Sequence, residues 1–534
     1  MKAALALSAL SATAVLAYQH DAGNPLDIPA RPLPGAVALH HAAQPLFDLS
    51  GDAAPLTLNH RGGSAQAALY GLPENRPWFV PEQPLALAAD YTATSRTVHR
   101  DPATQRERVD HRHWTFRTAD GQWRGTENLA LDSLHNAHDP QLAVRQDGSV
   151  LALWQQSSDG EASLWWNLYN PANGWSEARK LAAGIAGNAS LASNARGDAI
   201  AVWTATAADA RAQDISEAVW ASQYQRNRGW SAPSQIDRPG SDNSHLPRIA
   251  LSANGSALAV WETHQADAIW GNHFEPGVGW GHASVLDHGG TELVDAPRVG
   301  ADARGRFVMS WRRYRNADTA LWARQYQPGT GWHYPQKLAD TEDGRVHDHR
   351  LAVNSNGTAI ALWSQGDSRT HRLFASRHTP GLGWQNPVGV QRDTHVQTAL
   401  PTIALSDHGE AIAVWMQRRV QSDARWQVHA SQFRAARWST PGELAPGGES
   451  GYPRATIDAN GNALVAWSRV DQSGDAAVWA RRYSARSGWS TAGAITPNAA
   501  MLAALVVDEG GRALALGQRH DGNGHMRVWA NRFE

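Results

Sequence analysis

Apolar and polar positions alternate with a period of two through most of this chain, in short runs that recur. Ser252-Ala-Asn-Gly-Ser-Ala-Leu-Ala-Val-Trp261, Asn354-Ser-Asn-Gly-Thr-Ala-Ile-Ala-Leu-Trp363 and Asp458-Ala-Asn-Gly-Asn-Ala-Leu-Val-Ala-Trp467 are one unit seen three times. A period of two puts successive side chains on opposite faces of a strand, which no helix does. Each unit opens on a short apolar run such as Arg248-Ile-Ala-Leu251, then turns through Ser, Asn or Asp at the first position and Gly at the fourth. The first residue caps the turn and glycine takes the left-handed backbone, so two antiparallel strands follow. A second hairpin comes next: Val219-Trp-Ala-Ser-Gln-Tyr224 to Gly229-Trp230, Leu321-Trp-Ala-Arg-Gln-Tyr326 to Gly331-Trp332, and Val478-Trp-Ala-Arg-Arg-Tyr483 to Gly488-Trp489.

Each repeat is therefore a four-stranded meander. The second strand ends on Trp154, Trp203, Trp261, Trp311, Trp363, Trp415 and Trp467, with Gly517 at the eighth position. Repeats of this kind predict an all-β fold, a β-propeller of four-stranded antiparallel blades, with eight blades expected and seven the alternative. Small residues in the first two strands suit the crowded axis, and the outer strands carry most of the 25 tryptophans. The last repeat ends in a half copy, Val528-Trp-Ala-Asn-Arg-Phe533, while an orphan hairpin, His113-Trp-Thr-Phe-Arg117 to Gln122-Trp123, precedes the first. The orphan is placed to supply the missing outer strand and close the ring. Trp114 and Trp529 both read as third-strand residues, so one of them must lie outside the ring.

The rest of the chain divides by composition. Residues 1–17 have one lysine, an apolar run and small residues before Tyr18, the pattern of a secretory signal peptide, so a secreted or periplasmic bacterial protein is expected. Residues 18–65 start with crowded prolines and read as a linker. Residues 66–110, with Trp78, Phe79 and Tyr91, read as an irregular cap, and 111–534 as the propeller repeats. Lys plus Arg number 48 against 50 Asp plus Glu, which gives no electrostatic footprint for nucleic acid. The chain has no cysteine, so disulfides and thiolate metal sites are excluded. No membrane span is expected, and the protein is expected to be a monomer.

Over roughly residues 110–534 the units resemble the bacterial secreted propeller repeats grouped with sialidase-like and other short aromatic propeller repeats. Sialidase boxes have the form Ser-x-Asp-x-Gly-x-x-Trp, whereas Gly255 here precedes Trp261 by six positions. The arginine cluster and nucleophilic tyrosine of such hydrolases match no motif in this chain, so their activity is not carried over. The Gly-Trp pairs at 174–175 and 279–280 resemble those of fucose-binding propeller lectins, without the Arg and Glu that such lectins place in every blade.

Function is expected at the channel mouth, where the repeats disagree. Counting two residues back from the inner strand's proline or its equivalent, the series runs His138, Gly187, His245, Asp295, His347, Ala399, Gly451 and Met501. With Asp139, Asp348, His349 and Tyr452 beside them, His138, His245, Asp295 and His347 are the candidate ligand-binding residues, imidazoles and carboxylates suited to hydrogen-bonding a sugar or moving a proton. Polar loops in a chain with 24 histidines offer the plainer reading. His347-Asp-His349 and His111-Arg-His113 have metal-ligand spacing, but two ligands do not make a site, and no metal or cofactor is assigned. Tryptophans recurring in every blade are read as packing; irregular rings such as Trp165 beside Trp166 remain surface candidates. The expected function is recognition of a glycan or an envelope protein. The alternatives are a carbohydrate-active enzyme, since propeller polysaccharide lyases use the His, Tyr and Arg types found here at His138, His245, His347, Arg350 and Tyr452, or a structural envelope scaffold.

Overall fold

In a computed structural model the described residues are 37–38, 52–53 and those from 56 to 534 except for short stretches, the longest being 71–77, 130–135, 207–216 and 238–243. The signal peptide expected over 1–17 and most of the linker expected over 18–65 lie outside them. The fold is an all-β propeller. Its inner strands are Ala137–Val144, Ile185–Ser193, Ser244–Leu251, Leu293–Ala301, Arg345–Val353, Val396–Leu405, Glu449–Ile457 and Ala500–Val507, and they define blades one to eight. Each pairs with a second strand, which pairs with a third. In blades one to seven the outer strand is broken into two short pieces, both paired with the third. Consecutive inner strands lie side by side, and the eighth lies beside the first, so the ring is closed.

Closure comes from the N-terminal side of the chain. Trp123–Asn128 serves as the outer strand of blade eight, pairing with Met526–Phe533 so that Asn128 stands opposite Trp529 and Trp123 opposite Phe533. The Trp123 and Phe533 rings meet edge-on at 5.5 Å. The pairing covers the edge of Met526–Phe533, which would otherwise be a template for unwanted strand pairing.

The tryptophans explain the spacing of the repeat. Those of the second strands, which run two to four residues past them, are all buried, at 0–1% exposure. Each faces an aromatic ring or histidine across the pair: Trp203 opposite Trp220, Trp311 opposite Trp322, Trp363 opposite Phe374, Trp415 opposite His429. They pack between blades; Trp261, for example, sits among Ile200, Val202, Val219 and Ala221 of blade two. Blade eight reverses the arrangement. Gly517 stands opposite Trp529, and a Cβ there would overlap the Met501 carbonyl oxygen and come within 2.6 Å of the Trp529 ring. Trp529 is itself fully buried and donates its indole N–H to the Gln518 carbonyl at 3.1 Å. A third-strand ring thus fills the space that a second-strand ring takes elsewhere.

The irregular cap expected over 66–110 is instead regular. Leu56–His60, Gly63–Tyr70, Trp78–Pro81, Asp90–Arg100 and Glu107–Thr118 form an antiparallel sheet outside the ring. Trp114 belongs to this sheet, paired with Ala93, and is the displaced copy. The propeller accordingly begins at Trp123, and the boundary expected at 111 falls inside a strand. Apolar residues are sparse along these strands: Tyr91 and Ala93 are buried, while Glu107, Arg108, His111, His113 and Thr115 are exposed, so the apolar alternation is too short to mark a sheet in sequence.

Among the described residues no helix is long and apolar enough to cross a membrane.

Candidate functional site

The inner strands share a distortion that builds the mouth. In blade three His245 pairs with Glu262 and Arg248 with Val260, so Leu246 and Pro247 together face the single residue Trp261. That is a β-bulge, and the same two-against-one register recurs in blades one, two, four, six and seven. Its first residue is left-handed each time: Asp139, Asn188, Leu246, Ala296, Leu400 and Tyr452 have φ between 46° and 54°. Proline follows in five of the six, where its missing N–H interrupts no ladder bond. Bulges bend a strand and re-aim the side chains beyond it.

The residue just past the bulge occupies one ring position in every blade, opposite the residue preceding the second-strand tryptophan or Gly517. Around the ring it is Gln141, Ser190, Arg248, Arg298, Arg350, Thr402, Arg454 and Ala504. Four of the eight are arginine. The charge of Arg350 in blade five acts on Arg298 next to it, on Arg248 two blades back and on Arg454 two blades on. Only side chains that turn into the shared central space reach one another over that span. Burial, followed by the charges of Arg350 and Arg248, pushes Arg298 down to about 9. Burial and then Arg350 push Arg454 down to about 10. Both stay cationic near neutral pH, but their charge is held at a cost.

Carboxylates offset part of this. Arg312, from the second strand of blade four, grips Asp295 with two parallel hydrogen bonds of 2.8 and 2.7 Å and donates a third to the His347 carbonyl at 2.6 Å. Asp348 accepts from Arg350 at 2.6 Å. Glu262 accepts from the Ala296 backbone N–H at 2.7 Å, while burial pushes its carboxyl up. His349 is buried among these groups, 1% exposed, with Nε2 unpartnered. Burial, then the charges of Arg298, Arg312 and Arg350, hold its imidazole well below the ordinary range and therefore neutral. His347 stacks on His371 with ring centroids 3.9 Å apart and is also lowered, by burial first and His371 second.

Every candidate named from the sequence lies at the mouth end of an inner strand rather than in a loop. Asp295, His347, Asp348 and His349 come together around Arg298, Arg312 and Arg350. The others stand apart. His138 contacts its own neighbour Asp139 at 3.1 Å, and that bond above all lowers Asp139. His245 pairs with Glu217 at 3.0 Å, and Tyr452 is an exposed bulge residue. Among the described residues no group of three His, Asp or Glu is placed to hold a metal ion. It is the residue after the proline, not the one two before it, that takes the shared ring position. Pro247-Arg248, Pro297-Arg298 and Pro453-Arg454 were the available signal. Trp165 and Trp166 are not free surface rings. Trp166 meets Tyr224 at 5.7 Å and Trp230 at 6.1 Å in blade two, and Trp165 packs against the buried cluster around Trp154.

The opposite end of the ring carries the hairpin turns between first and second strands, and the N-terminal sheet rests there. Arg61 pairs with Glu410 at 3.0 Å, His60 contacts Asn460 at 3.0 Å, and the Leu87 N–H bonds the Gly510 carbonyl at 2.7 Å. These are turns of blades six, seven and eight. The bulge-lined mouth is therefore the end that this sheet leaves free.

No protein-family model matches the chain, and no curated protein matches it in sequence. Among solved structures it is similar to an ulvan lyase of a polysaccharide lyase family, at 11% identity over 76% of this chain and 95% of that one, with a TM-score of 0.45. It is similar also to a protein of unknown function from Dyadobacter fermentans, at 11% identity over 78% and 99%, TM-score 0.39. A third is the NanB sialidase of Streptococcus pneumoniae, at 10% identity over 91% and 95%, TM-score 0.33. Scores this low leave chemistry to be read from the residues themselves.

Proposed function

We propose that this chain is an exported recognition propeller that binds a glycan at the bulge-lined mouth of its channel. The observation that carries this is the single ring position filled by Gln141, Ser190, four arginines, Thr402 and Ala504 on an otherwise uniform scaffold. Packing positions repeat from blade to blade; this one varies and is mostly hydrogen-bonding, as a site for one asymmetric ligand requires. A second reading, a carbohydrate-active enzyme, draws support from the guanidiniums gathered around Asp295 and Asp348, charge able to stabilise an anion.

The test is chromatography of the mature protein with acidic and neutral polysaccharides, following polymer mass by light scattering. Co-elution that is lost on Tyr452→Ala, at the mouth, and kept on Tyr334→Ala, far out on blade four and 92% exposed, is the expected result. A falling polymer mass selects the enzyme reading. Absence of co-elution with every polymer overturns glycan recognition in favour of a protein partner or a scaffold.

A further inference from the structure

The ring arginines are short of acidic partners. Among the described residues no carboxylate pairs with Arg248, Arg298 or Arg454, and Arg350 alone has one, Asp348. Arg248, Arg298 and Arg454 each donate Nη1 to the carbonyl of the proline just before them at 3.0 Å, and Arg350 does the same to the His349 carbonyl at 2.8 Å. This repeated bond ties each guanidinium to its own strand, with Arg454 Nε also donating to the Ala503 carbonyl at 2.7 Å, and among the described residues Nη2 of all four has no protein partner. None of those nitrogens is sealed in the interior, in contrast to Arg145, whose Nε and Nη2 are buried and unpartnered. They are preorganised, solvent-reached donors converging from blades three, four, five and seven.

A second observation comes from the same place. His349 is almost wholly buried with an unpartnered ring nitrogen, next to Arg298, Arg312 and Arg350. Counting Arg312, five guanidiniums meet three carboxylates, Glu262, Asp295 and Asp348, a formal excess of two positive charges at one spot. The chain as a whole carries −2, so this charge is local to the channel and not part of a general basic surface. Like charges held together without counter-ions destabilise the empty protein, and that penalty is relieved when an anion arrives. Planar guanidiniums with free Nη2 groups suit forked oxyanions.

We infer that Arg248, Arg298, Arg350 and Arg454 form a receptor for an anionic oxygen group, a carboxylate or a sulfate ester, which makes the glycan at the mouth an acidic one. This rests on the glycan reading for the identity of the ligand but not for the existence of the anion site. The neutral side of the ring, Ser190, Gln141 and Ala504, is left to face uncharged sugar surface.

The experiment is calorimetric titration of the mature protein and its Arg298→Gln and Arg454→Gln variants, with Arg226→Gln, an exposed arginine elsewhere, as control. The probes are inorganic sulfate, a sulfated galactan oligosaccharide with its desulfated form, and an oligouronate with its methyl ester. Expected is binding of an acidic oligosaccharide at least about tenfold tighter than its neutral form, with a loss of at least about tenfold in each ring variant and none in the control. Which acidic partner binds separates sulfate from carboxylate. Equal affinity for acidic and neutral forms, unchanged in the ring variants, overturns the anion receptor while glycan recognition stands. If no oligosaccharide binds, glycan recognition falls, and sulfate alone decides: binding that Arg298→Gln abolishes supports the anion site, and no binding overturns it. Melting provides a readout that a merely structural arginine fails. Removing one repelling charge is expected to raise the Tm of the empty protein, and a lower Tm in both variants counts against the inference.

Discussion

At the scale of single residues, the informative positions are those where one blade departs from the other seven. His429 stands where most blades carry tryptophan, stacked on Trp415 at 6.1 Å, and burial pushes its imidazole down to about 4. His273 is driven to about 4 in the same way, with its ring 4.2 Å from that of Tyr326. Such a histidine titrates near 6.5 in the unfolded chain, so between about pH 6.5 and 4 the unfolded state takes up protons that the folded state refuses. The stability these rings contribute is complete above 6.5 and declines as the pH falls towards 4. After allowance for their partial exposure this is about 2 kcal/mol per ring. His429→Phe copies Phe374 of blade five and abolishes one titration, so its Tm is expected to fall less than that of the wild type between pH 7.5 and 4.5. Parallel Tm curves for the two proteins would refute the assignment. The apolar members of this series were legible in sequence because tryptophan recurs. The ring arginines were harder to read: a Pro-Arg pair marks three of them, but arginine is common on surfaces, and it takes the register opposite each second strand to show that Arg350 shares their position.

At the scale of elements, strand pairing decides what sequence can show. The hairpins were legible because one face of each is buried and alternation follows. The N-terminal sheet was not, because apolar residues are sparse in its strands: Asp90–Arg100 buries Tyr91 and Ala93, but Glu107–Thr118 exposes Glu107, His111, His113 and Thr115. The bulges were hidden for another reason: Leu246, Ala296 and Leu400 adopt a left-handed backbone that their side chains do not advertise, and tertiary packing imposes it. Ring closure was readable from the offset ends of the repeat array, and it yields a test. A chain beginning at Gly121 keeps Trp123–Asn128, whereas one beginning at Leu129 loses it and bares the Met526–Phe533 edge. The N-terminal sheet is missing from both, so the difference isolates the closing strand. The shorter chain is expected to melt at least about 5 °C lower and to self-associate as its concentration rises, read by scanning calorimetry and sedimentation. Equal Tm values would mean that blade eight holds without its fourth strand.

At the scale of the whole molecule, the two ends of the ring are chemically different. One end presents the bulges and the cationic channel. At the other, the hairpin Leu56–His60 to Gly63–Tyr70 sets its tip on the turns of blades six and seven. Arg61 bonds Glu410, the Arg61 carbonyl accepts from His408 at 3.1 Å, and His60 meets Asn460. Gly62 makes the close fit possible, because a Cβ there would lie 2.7 Å from that of Ala459. The contacts of this tip are few, polar and partly exposed, whereas Leu87, just before Asp90–Arg100, is buried in the core of blades seven and eight, so the tip is expected to lift off while the rest of the sheet stays anchored and the ring stays folded. Gly62→Leu drives the tip off blade seven. Hydrogen exchange followed by mass spectrometry should then accelerate at least about tenfold in the turns 406–409 and 458–461, a loss of about 1.4 kcal/mol of local protection. Exchange in the second strands that carry Trp203, Trp261 and Trp311 should stay unchanged, as should ligand binding at the bulge-lined mouth. A variant whose ring exchanges globally, or whose mouth loses its ligand, would show that the sheet is part of the ring's cooperative unit and that the two ends act together.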